Sequence, residues 1–338
     1  MRLPRVLVVD DSALVRTVLA RVMRASGLID VIDTAFDGRD GLERINALDP
    51  DVVTLDLTMP GIGGMAILRA LRGRSRPRVI VVSASDIDTE LGAEALSLGA
   101  IELIAKPVSL AADQLDDIGR ELVAKVIAAA AGYLALPAGA PVRGVQLARP
   151  ERATLILIGT STGGPQALTR LIAALPANLA APVAVSLHIP KGYTEAIARR
   201  LDHSSALDVV EARDGMELRA GLVVLARGGM HLRIERDGEI FRAALSVLPA
   251  QPYTPSVNQL LESGAIAAGA RALGVVLTGM GDDGLEGAHA IAAAGGSLLT
   301  QSAGSCVVYG MPRCVDEAQI GATNVPLDAM AAEIARRV

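Results

Sequence analysis

Residues able to do chemistry gather in a few short motifs. Asp10 and Asp11 directly follow the apolar run Val6–Val9, and Asp56 closes the run Val52–Leu55. Ser83 ends the run Val79–Val82, and Lys106-Pro107 comes just after Ile101–Ile104, with a peptide bond that is a candidate for the cis form. Clustered carboxylates repel one another and need a cation, and all-oxygen ligation by one or two carboxylates suits Mg²⁺. A carboxylate held beside Mg²⁺ can attack a phosphoryl group and become an aspartyl phosphate. Lys106 would then neutralise the added charge, and the Ser83 hydroxyl would donate to a phosphoryl oxygen. Any one of these residues alone reads as an ordinary cap or turn residue. Their recurrence after several strand-like runs does not.

A second group lies further along. The run Leu155–Ile158 leads straight into Gly159-Thr160-Ser161-Thr162-Gly163-Gly164-Pro165, after which Leu168, Leu171 and Ile172 fall on one helical face. Strand, glycine-bracketed serine, helix is the pattern of a nucleophile elbow. The Thr162 N–H, at the helix start, is a candidate oxyanion donor. A dinucleotide fingerprint does not fit glycines at 159, 163 and 164, and no Lys follows Gly164 as a phosphate-binding loop would require. A glycine-rich structural turn accounts for the pentapeptide alone equally well.

A serine nucleophile needs a base, and the chain has four histidines. His203 falls at a charged helix end, His231 in a region of hairpins, and His289 within a helix where a structural role is the default. His188 ends the strand-like run Ala184–Leu187. If that strand neighbours the one before Ser161, as consecutive strands often do, both side chains emerge at one sheet edge. His188 is therefore the best base. An acid must orient it, and the turn Thr278-Gly279-Met280-Gly281-Asp282-Asp283-Gly284 offers two. One would hold His188 and the other would cap the helix beginning near Gly284. Spacing does not say which. The order Ser, His, Asp differs from that of the α/β-hydrolases, where the acid precedes the histidine.

These residues require two layered scaffolds. At about 150 residues per domain, 338 residues suggest two domains. Half the residues are hydrophobic, yet only 2% are aromatic. Such a core is built from Val, Ile, Leu and Ala, which suits strands buried on both faces under helices. Over the first 120 or so residues five β-branched runs alternate with helical patterns, the first capped by Ser12 and stopped at Gly27. That alternation gives a parallel sheet covered on both sides, with a ligand crevice beyond the carboxyl ends of its strands. From about Gly119 to Arg152 the pattern decays into Ala, Pro and Gly, as a helix end followed by a linker. A second alternation starts at Thr154. Within it Leu222–Leu225, His231–Ile234 and Ile240–Leu245 come without intervening helices, and Gly228-Gly229 and Asp237-Gly238 read as turns joining them as antiparallel strands.

Composition narrows the function classes. A net charge of −5 argues against a sequence-tolerant nucleic-acid binder. The two cysteines, Cys306 and Cys314, build neither a disulfide framework nor a zinc site and read as small hydrophobes. The apolar run behind Arg2 and Arg5 stops at Asp10, too short for an export signal, and the longest uncharged stretch is interrupted by prolines. A cytoplasmic protein without membrane insertion is expected.

Val8-Val9-Asp10-Asp11-Ser12, Leu55-Asp56-Leu57-Thr58-Met59-Pro60 and Ala105-Lys106-Pro107 resemble a response regulator receiver domain, a flavodoxin-like (βα)₅ fold. The resemblance implies Asp56 as phosphoacceptor, Mg²⁺ held by Asp11, Asp56 and the Thr58 carbonyl with Asp10 in support, and Ser83 and Lys106 as phosphoryl-sensing residues. Gly63 stands where Asp is usual and Leu103 where an aromatic is common. Ile158–Gly164, His188-Ile189-Pro190, Leu277–Gly284, Pro255-Ser256-Val257 and Val307–Pro312 are similar to the chemotaxis methylesterase family, CheB. That likeness implies a triad of Ser161, His188 and Asp283, with Thr162 and Met280 lining the pocket and no cofactor for the esterase. Asn258 stands where Asp is common, Arg227 where Pro is usual, and Leu187-His188-Ile189 where Gln-His-Met is typical.

The expected architecture is therefore a receiver at residues 1–122, a linker at 123–151 and a doubly wound, mostly parallel esterase domain with an antiparallel hairpin at 152–338. The implied activity is hydrolysis of glutamate methyl esters on chemoreceptors, with deamidation of receptor glutamines, by a monomer phosphorylated by a chemotaxis histidine kinase. The unphosphorylated receiver would cover the Ser161 edge. One alternative is a phospho-switched binding module whose second domain is not catalytic. A DNA-binding regulator is disfavoured, because the second half lacks a basic helix-turn-helix pattern.

Overall fold

The computed structural model describes residues 2–83, 89–106, 112–131 and 151–338, with the backbone course alone for 112–118. The chain divides into two compact units, Met1–Leu134 and Ala135–Val338.

In the first unit, β1 (Arg5–Val9), α1 (Ala13–Ala25), β2 (Asp30–Ala35), α2 (Gly38–Leu48), β3 (Val52–Leu55), α3 (Gly64–Leu71), β4 (Arg78–Ser83), α4 (Thr89–Leu98), β5 (Glu102–Ala105) and α5 (Ala112–Ala131) alternate in order. The strands form a parallel sheet in the order β2-β1-β3-β4-β5. Strands read as Val/Ile/Leu runs because both faces are covered: Val6–Val9 and Val52–Leu55 are buried throughout. Ser12 caps α1, its hydroxyl accepting from the Val15 N–H, and Gly27 at φ +67° follows its end. Leu103 is buried in β5. Helix α5 runs on to Ala131, past the point where the hydrophobic period fades. The run Ala128–Ala131 has strong helix propensity and little period, so the helix outlasts the pattern. The Lys106-Pro107 bond and most of the Pro- and Gly-rich stretch lie outside the described residues.

The second unit comprises β6 (Leu155–Thr160), α6 (Gly164–Ala174), β7 (Val183–Leu187), α7 (Thr194–Ser204), β8 (Asp208–Glu211), β9 (Glu217–Leu218), β10 (Leu222–Leu225), β11 (His231–Asp237), β12 (Ile240–Ser246), α8 (Val257–Ala268), β13 (Ala272–Val276), α9 (Leu285–Ala293), β14 (Ser297–Gln301), α10 (Met311–Glu317), β15 (Thr323–Val325) and α11 (Leu327–Arg337). Seven strands make a parallel sheet in the order β15-β14-β13-β6-β7-β10-β8, and β11, β12 and β9 make a small antiparallel one. The order reverses at β6, which pairs with β7 on one side and with the much later β13 on the other. A crevice opens at such a point, beyond the carboxyl ends.

The sequence expectation fails at β10. Leu222–Leu225 is no part of an antiparallel set; it is a fully buried parallel strand between β7 and β8. Its four apolar residues lack the alternation of a half-exposed hairpin strand, and Gly228-Gly229 carries the chain from one sheet to the other. The hairpin is β11–β12 alone, turning at Gly238, with the two-residue β9 added at its edge. No helix among the described residues is long and apolar enough to cross a membrane.

Candidate functional site

Two clusters stand at strand carboxyl ends. In the first unit Asp10 follows β1 and Asp56 follows the adjacent β3. Carboxylate oxygens of Asp10, Asp11 and Asp56 lie within 4.8 Å of one another. Asp10 and Asp56 are buried and Asp11 is exposed. Lys106 Nζ stands 2.8 Å from Asp10 Oδ2 and 2.6 Å from Asp56 Oδ2. The N–H and hydroxyl of Thr58 donate to Asp56 Oδ1 at 3.2 and 3.3 Å. Ser83 ends β4, buried, and its carbonyl accepts from the Lys106 N–H at 2.7 Å.

The electrostatics show what this cluster lacks. Burial pushes the Asp10 carboxyl above its usual value, despite the hydrogen bond and charge of Lys106. Burial works against the Lys106 ammonium, but Asp10 and Asp56 outweigh it and hold the lysine above its usual value. Asp10 and Asp56 thus share one ammonium with the Asp11 carboxylate beside them, and a buried acid stays short of positive charge with a lysine already on it. That donor set and that deficit fit a divalent cation such as Mg²⁺.

In the second unit Ser161 follows β6 and His188 follows its neighbour β7, so the expected adjacency holds. His188 Nδ1 lies 3.2 Å from Ser161 Oγ, and His188 Nε2 lies 2.7 Å from Asp283 Oδ2. The tautomer protonated at Nε2 satisfies both bonds, donating to Asp283 and accepting from the Ser161 hydroxyl. This is the reverse of the nitrogen order in the chymotrypsin-type triad. Ser161 is 8% exposed and the His188 side chain 11%, so the pair sits at a rim.

Asp283, not Asp282, is the carboxylate that meets His188. Its carboxylate sits on the N-terminus of α8. Oδ1 accepts from Ser256 Oγ at 3.0 Å and the Asn258 N–H at 2.9 Å, and Oδ2 accepts from the Val257 N–H at 2.7 Å. Burial pushes this carboxyl up, but His188 and the Val257 and Asn258 N–H groups outweigh it and hold the carboxyl below its usual value. Asp282 is exposed and does not cap α9 as expected. Asn258 does: its Oδ1 accepts from the N–H groups of Gly284 and Gly287 at 2.8 and 2.9 Å. The two helix starts therefore exchange caps. An amide suits the cap that Asn258 makes, where a second carboxylate would stand close to Asp283.

Several supporting residues escape sequence reasoning. His231 is fully buried, and its Nδ1 accepts from the Ser256 N–H at 3.1 Å. Burial pushes its imidazole below the usual value, which keeps that nitrogen an acceptor. Tyr253 stacks on His188. Thr278 ties the strand ends together: its carbonyl accepts from the Ser161 N–H at 3.0 Å and from Thr160 Oγ1 at 2.8 Å, and its hydroxyl donates to the Thr162 carbonyl at 3.0 Å. The same oxygen accepts from the Val307 and Val308 N–H groups. Thr162 is buried and Met280 half-buried. Thr162 and Met280 are the pocket residues the resemblance implies; of His231, Tyr253 and Thr278, only Thr278, which opens the glycine turn, carries a sequence signal for its place.

Two glycines are dictated by this geometry. Gly163 has φ +79°, and a Cβ there would meet Val307 at 2.5 Å. A Cβ at Gly279 would clash with Met311 Sδ and stand 2.9 Å from Ser161 Cβ. Gly279→Ala is therefore expected to push Ser161 out of register with His188. Labelling of Ser161 by a fluorophosphonate should fall about 10- to 100-fold, with a lower unfolding midpoint from overpacking. A wild-type labelling rate would show that this contact does not set the serine.

Comparison with known proteins follows the same division. Residues 6–117 match the response regulator receiver domain, and residues 156–334 match the CheB methylesterase domain. A Myxococcus xanthus protein named protein-glutamate methylesterase/protein-glutamine glutaminase 5 is 51% identical over 340 residues, covering 99% of this chain and 98% of the relative. A Symbiobacterium thermophilum protein named protein-glutamate methylesterase/protein-glutamine glutaminase is 42% identical, covering 99% of this chain and 97% of its own length. The crystal structure of the Thermotoga maritima CheB methylesterase catalytic domain aligns at a TM-score of 0.54 and 34% identity, covering 55% of this chain and 99% of that one. With both domains matched in order and relatives similar from end to end, the chain belongs to the CheB methylesterase family, carrying a response regulator receiver domain ahead of its esterase domain.

Proposed function

We propose that this protein hydrolyses glutamate methyl esters on chemoreceptors, releasing methanol, and deamidates receptor glutamines by the same route. The observation that carries this reading is the continuous chain Ser161 Oγ, His188 Nδ1 at 3.2 Å, and His188 Nε2 to Asp283 at 2.7 Å. Ser161 attacks the γ-carbonyl of a methylglutamate while His188 Nδ1 takes the hydroxyl proton. Asp283 holds the ring and faces the positive charge that forms on it. The Thr162 N–H stabilises the oxyanion, and Met280 lines the pocket. His188 returns the proton to the departing methoxide, and methanol leaves. Water, deprotonated by the same nitrogen, then attacks the acyl carbon, the bond to Ser161 Oγ breaks, and His188 returns the proton to that oxygen, leaving the receptor side chain as glutamate. With a glutamine the leaving group is ammonia. Methanol release from methylated receptor, compared between wild type and Ser161→Ala, tests the reading; equal rates would remove it.

Control resides in the receiver, taken as residues 1–122, joined through 123–151 to the esterase at 152–338. A histidine kinase loads Asp56. Mg²⁺ held by Asp10, Asp11, Asp56 and the Thr58 carbonyl would neutralise charge on the incoming phosphoryl group. Lys106 then pairs with the phosphoryl oxygens, and the Ser83 hydroxyl donates to one of them. The protein works in the cytoplasm, as a monomer. Asp56→Asn is expected to abolish the rate increase produced by a small-molecule phosphodonor, leaving the basal methanol release in place. Normal activation of that variant would make the control model wrong.

A further inference from the structure

The His188 imidazole has a third neighbour besides Ser161 and Asp283. The phenol ring of Tyr253 lies face to face on it, with centroids 4.5 Å apart and planes 8° from parallel. Tyr253 belongs to the segment between β12 and α8, three residues before Ser256, the cap that donates to Asp283. Its hydroxyl end packs on the turn that carries the acid: a Cβ at Gly281 would stand 3.2 Å from the Tyr253 oxygen. One half-buried side chain thus touches both the base and the acid's own turn.

Two consequences follow from ring chemistry. A flat ring against the imidazole face opposes the tilt or rotation that would carry Nδ1 away from Ser161 Oγ, and small misplacements of a base are costly. The face of an aromatic ring also attracts a cation within about 6 Å of its centroid. To act as the base His188 must accept a proton at Nδ1, and it becomes an imidazolium as it takes the serine proton. The attraction is therefore stronger at the transition state than before it, which is the kind of contact that raises kcat rather than lowering KM. We propose that Tyr253 is a positioning residue for the base, its ring face holding the His188 imidazole in line with Ser161 and Asp283 and favouring the imidazolium formed during acylation. The proposal rests on the reading of Ser161 and His188 as nucleophile and base.

The test uses the full chain and methylated receptor, with kcat and KM of methanol release measured for wild type, Tyr253→Phe, Tyr253→Leu and Ser161→Ala. Tyr253→Leu should lose about tenfold in kcat, equivalent to ~1.4 kcal/mol, with KM changed less than about twofold. Tyr253→Phe keeps the ring face and should retain the wild-type kcat. If Tyr253→Leu does not fold, Tyr253→Met replaces it as the non-aromatic variant. A wild-type kcat without the ring, a loss confined to KM, or a Phe variant as impaired as the Leu one would overturn the proposal while an inactive Ser161→Ala upheld the nucleophile. A fully active Ser161→Ala would overturn both.

Discussion

Replacing Ser161 with alanine is expected to lower methanol release from methylated receptor by a factor on the order of 10⁴ to 10⁶. In the proposed reaction the serine oxygen forms the bond to the acyl carbon, and His188 Nδ1 lies 3.2 Å from Ser161 Oγ. A residual rate over water is expected, because substrate binding and the oxyanion donor remain. Adding His188→Ala to Ser161→Ala should cost little more, since without the serine no acyl-enzyme forms for the base to make or hydrolyse. The fold should tolerate the change, because the Ser161 N–H bond to the Thr278 carbonyl is a backbone contact. Rates measured with the single and double variants, alongside thermal unfolding, decide the matter. A Ser161→Ala rate within tenfold of wild type would show that another group is the nucleophile.

The second large effect falls on Asp283. Its carboxylate accepts four hydrogen bonds, from Ser256 Oγ, the Val257 and Asn258 N–H groups and His188 Nε2. An amide offers one oxygen and turns its NH₂ toward donors on the other side. If the NH₂ faces Nε2, the imidazole must accept there, its proton moves to Nδ1, and the base is lost. If the oxygen faces Nε2, the NH₂ confronts Ser256 and the Asn258 N–H. Asp283→Asn should therefore lower kcat by on the order of 10⁴ and cost about 2 kcal/mol through unsatisfied buried donors. For a unit of this size the unfolding midpoint should fall by about 4–8 °C. The pH dependence has a fixed sign. The folded carboxyl lies below its usual value, so its stabilisation is fully present above about pH 4. It is lost as pH falls through the folded value. The gap in unfolding midpoint between wild type and Asp283→Asn should thus be constant near neutrality and close in acid. A gap that widened in acid would contradict a charge-stabilised cradle.

Much of this was legible from residue types alone, for a definite reason. Strand-end residues of a parallel sheet share one edge, so Asp10, Asp56, Ser83 and Lys106, and likewise Ser161 and His188, could be brought together from their place after apolar runs. Spacing left the choice between Asp282 and Asp283 open, because adjacent residues on a turn point different ways, and only the family resemblance pointed to Asp283. It is decided by the N-terminus of α8, an element that precedes both acids in the chain and meets them only in three dimensions. Leu222–Leu225 misled for a related reason: four apolar residues without alternation suit a buried parallel strand, and the neighbouring glycines suggested a hairpin instead. Tyr253 and His231 carry no local pattern. Their roles arise from the packing of β11 and the segment before α8 against the site, and from a stack and a backbone acceptor that no spacing encodes.

The exchanged caps of Asp283 and Asn258 have a mechanical consequence. Each of the two helices is anchored at its start by a side chain that belongs to the other's threshold, so neither can be retracted without releasing its counterpart. The Asp283 carboxylate is accordingly the member of the proposed triad with least freedom to wander. Any adjustment of turnover then has to act on the hydroxyl, on the ring, or on the path by which a receptor segment arrives, with the acid serving as the stationary reference against which those movements register.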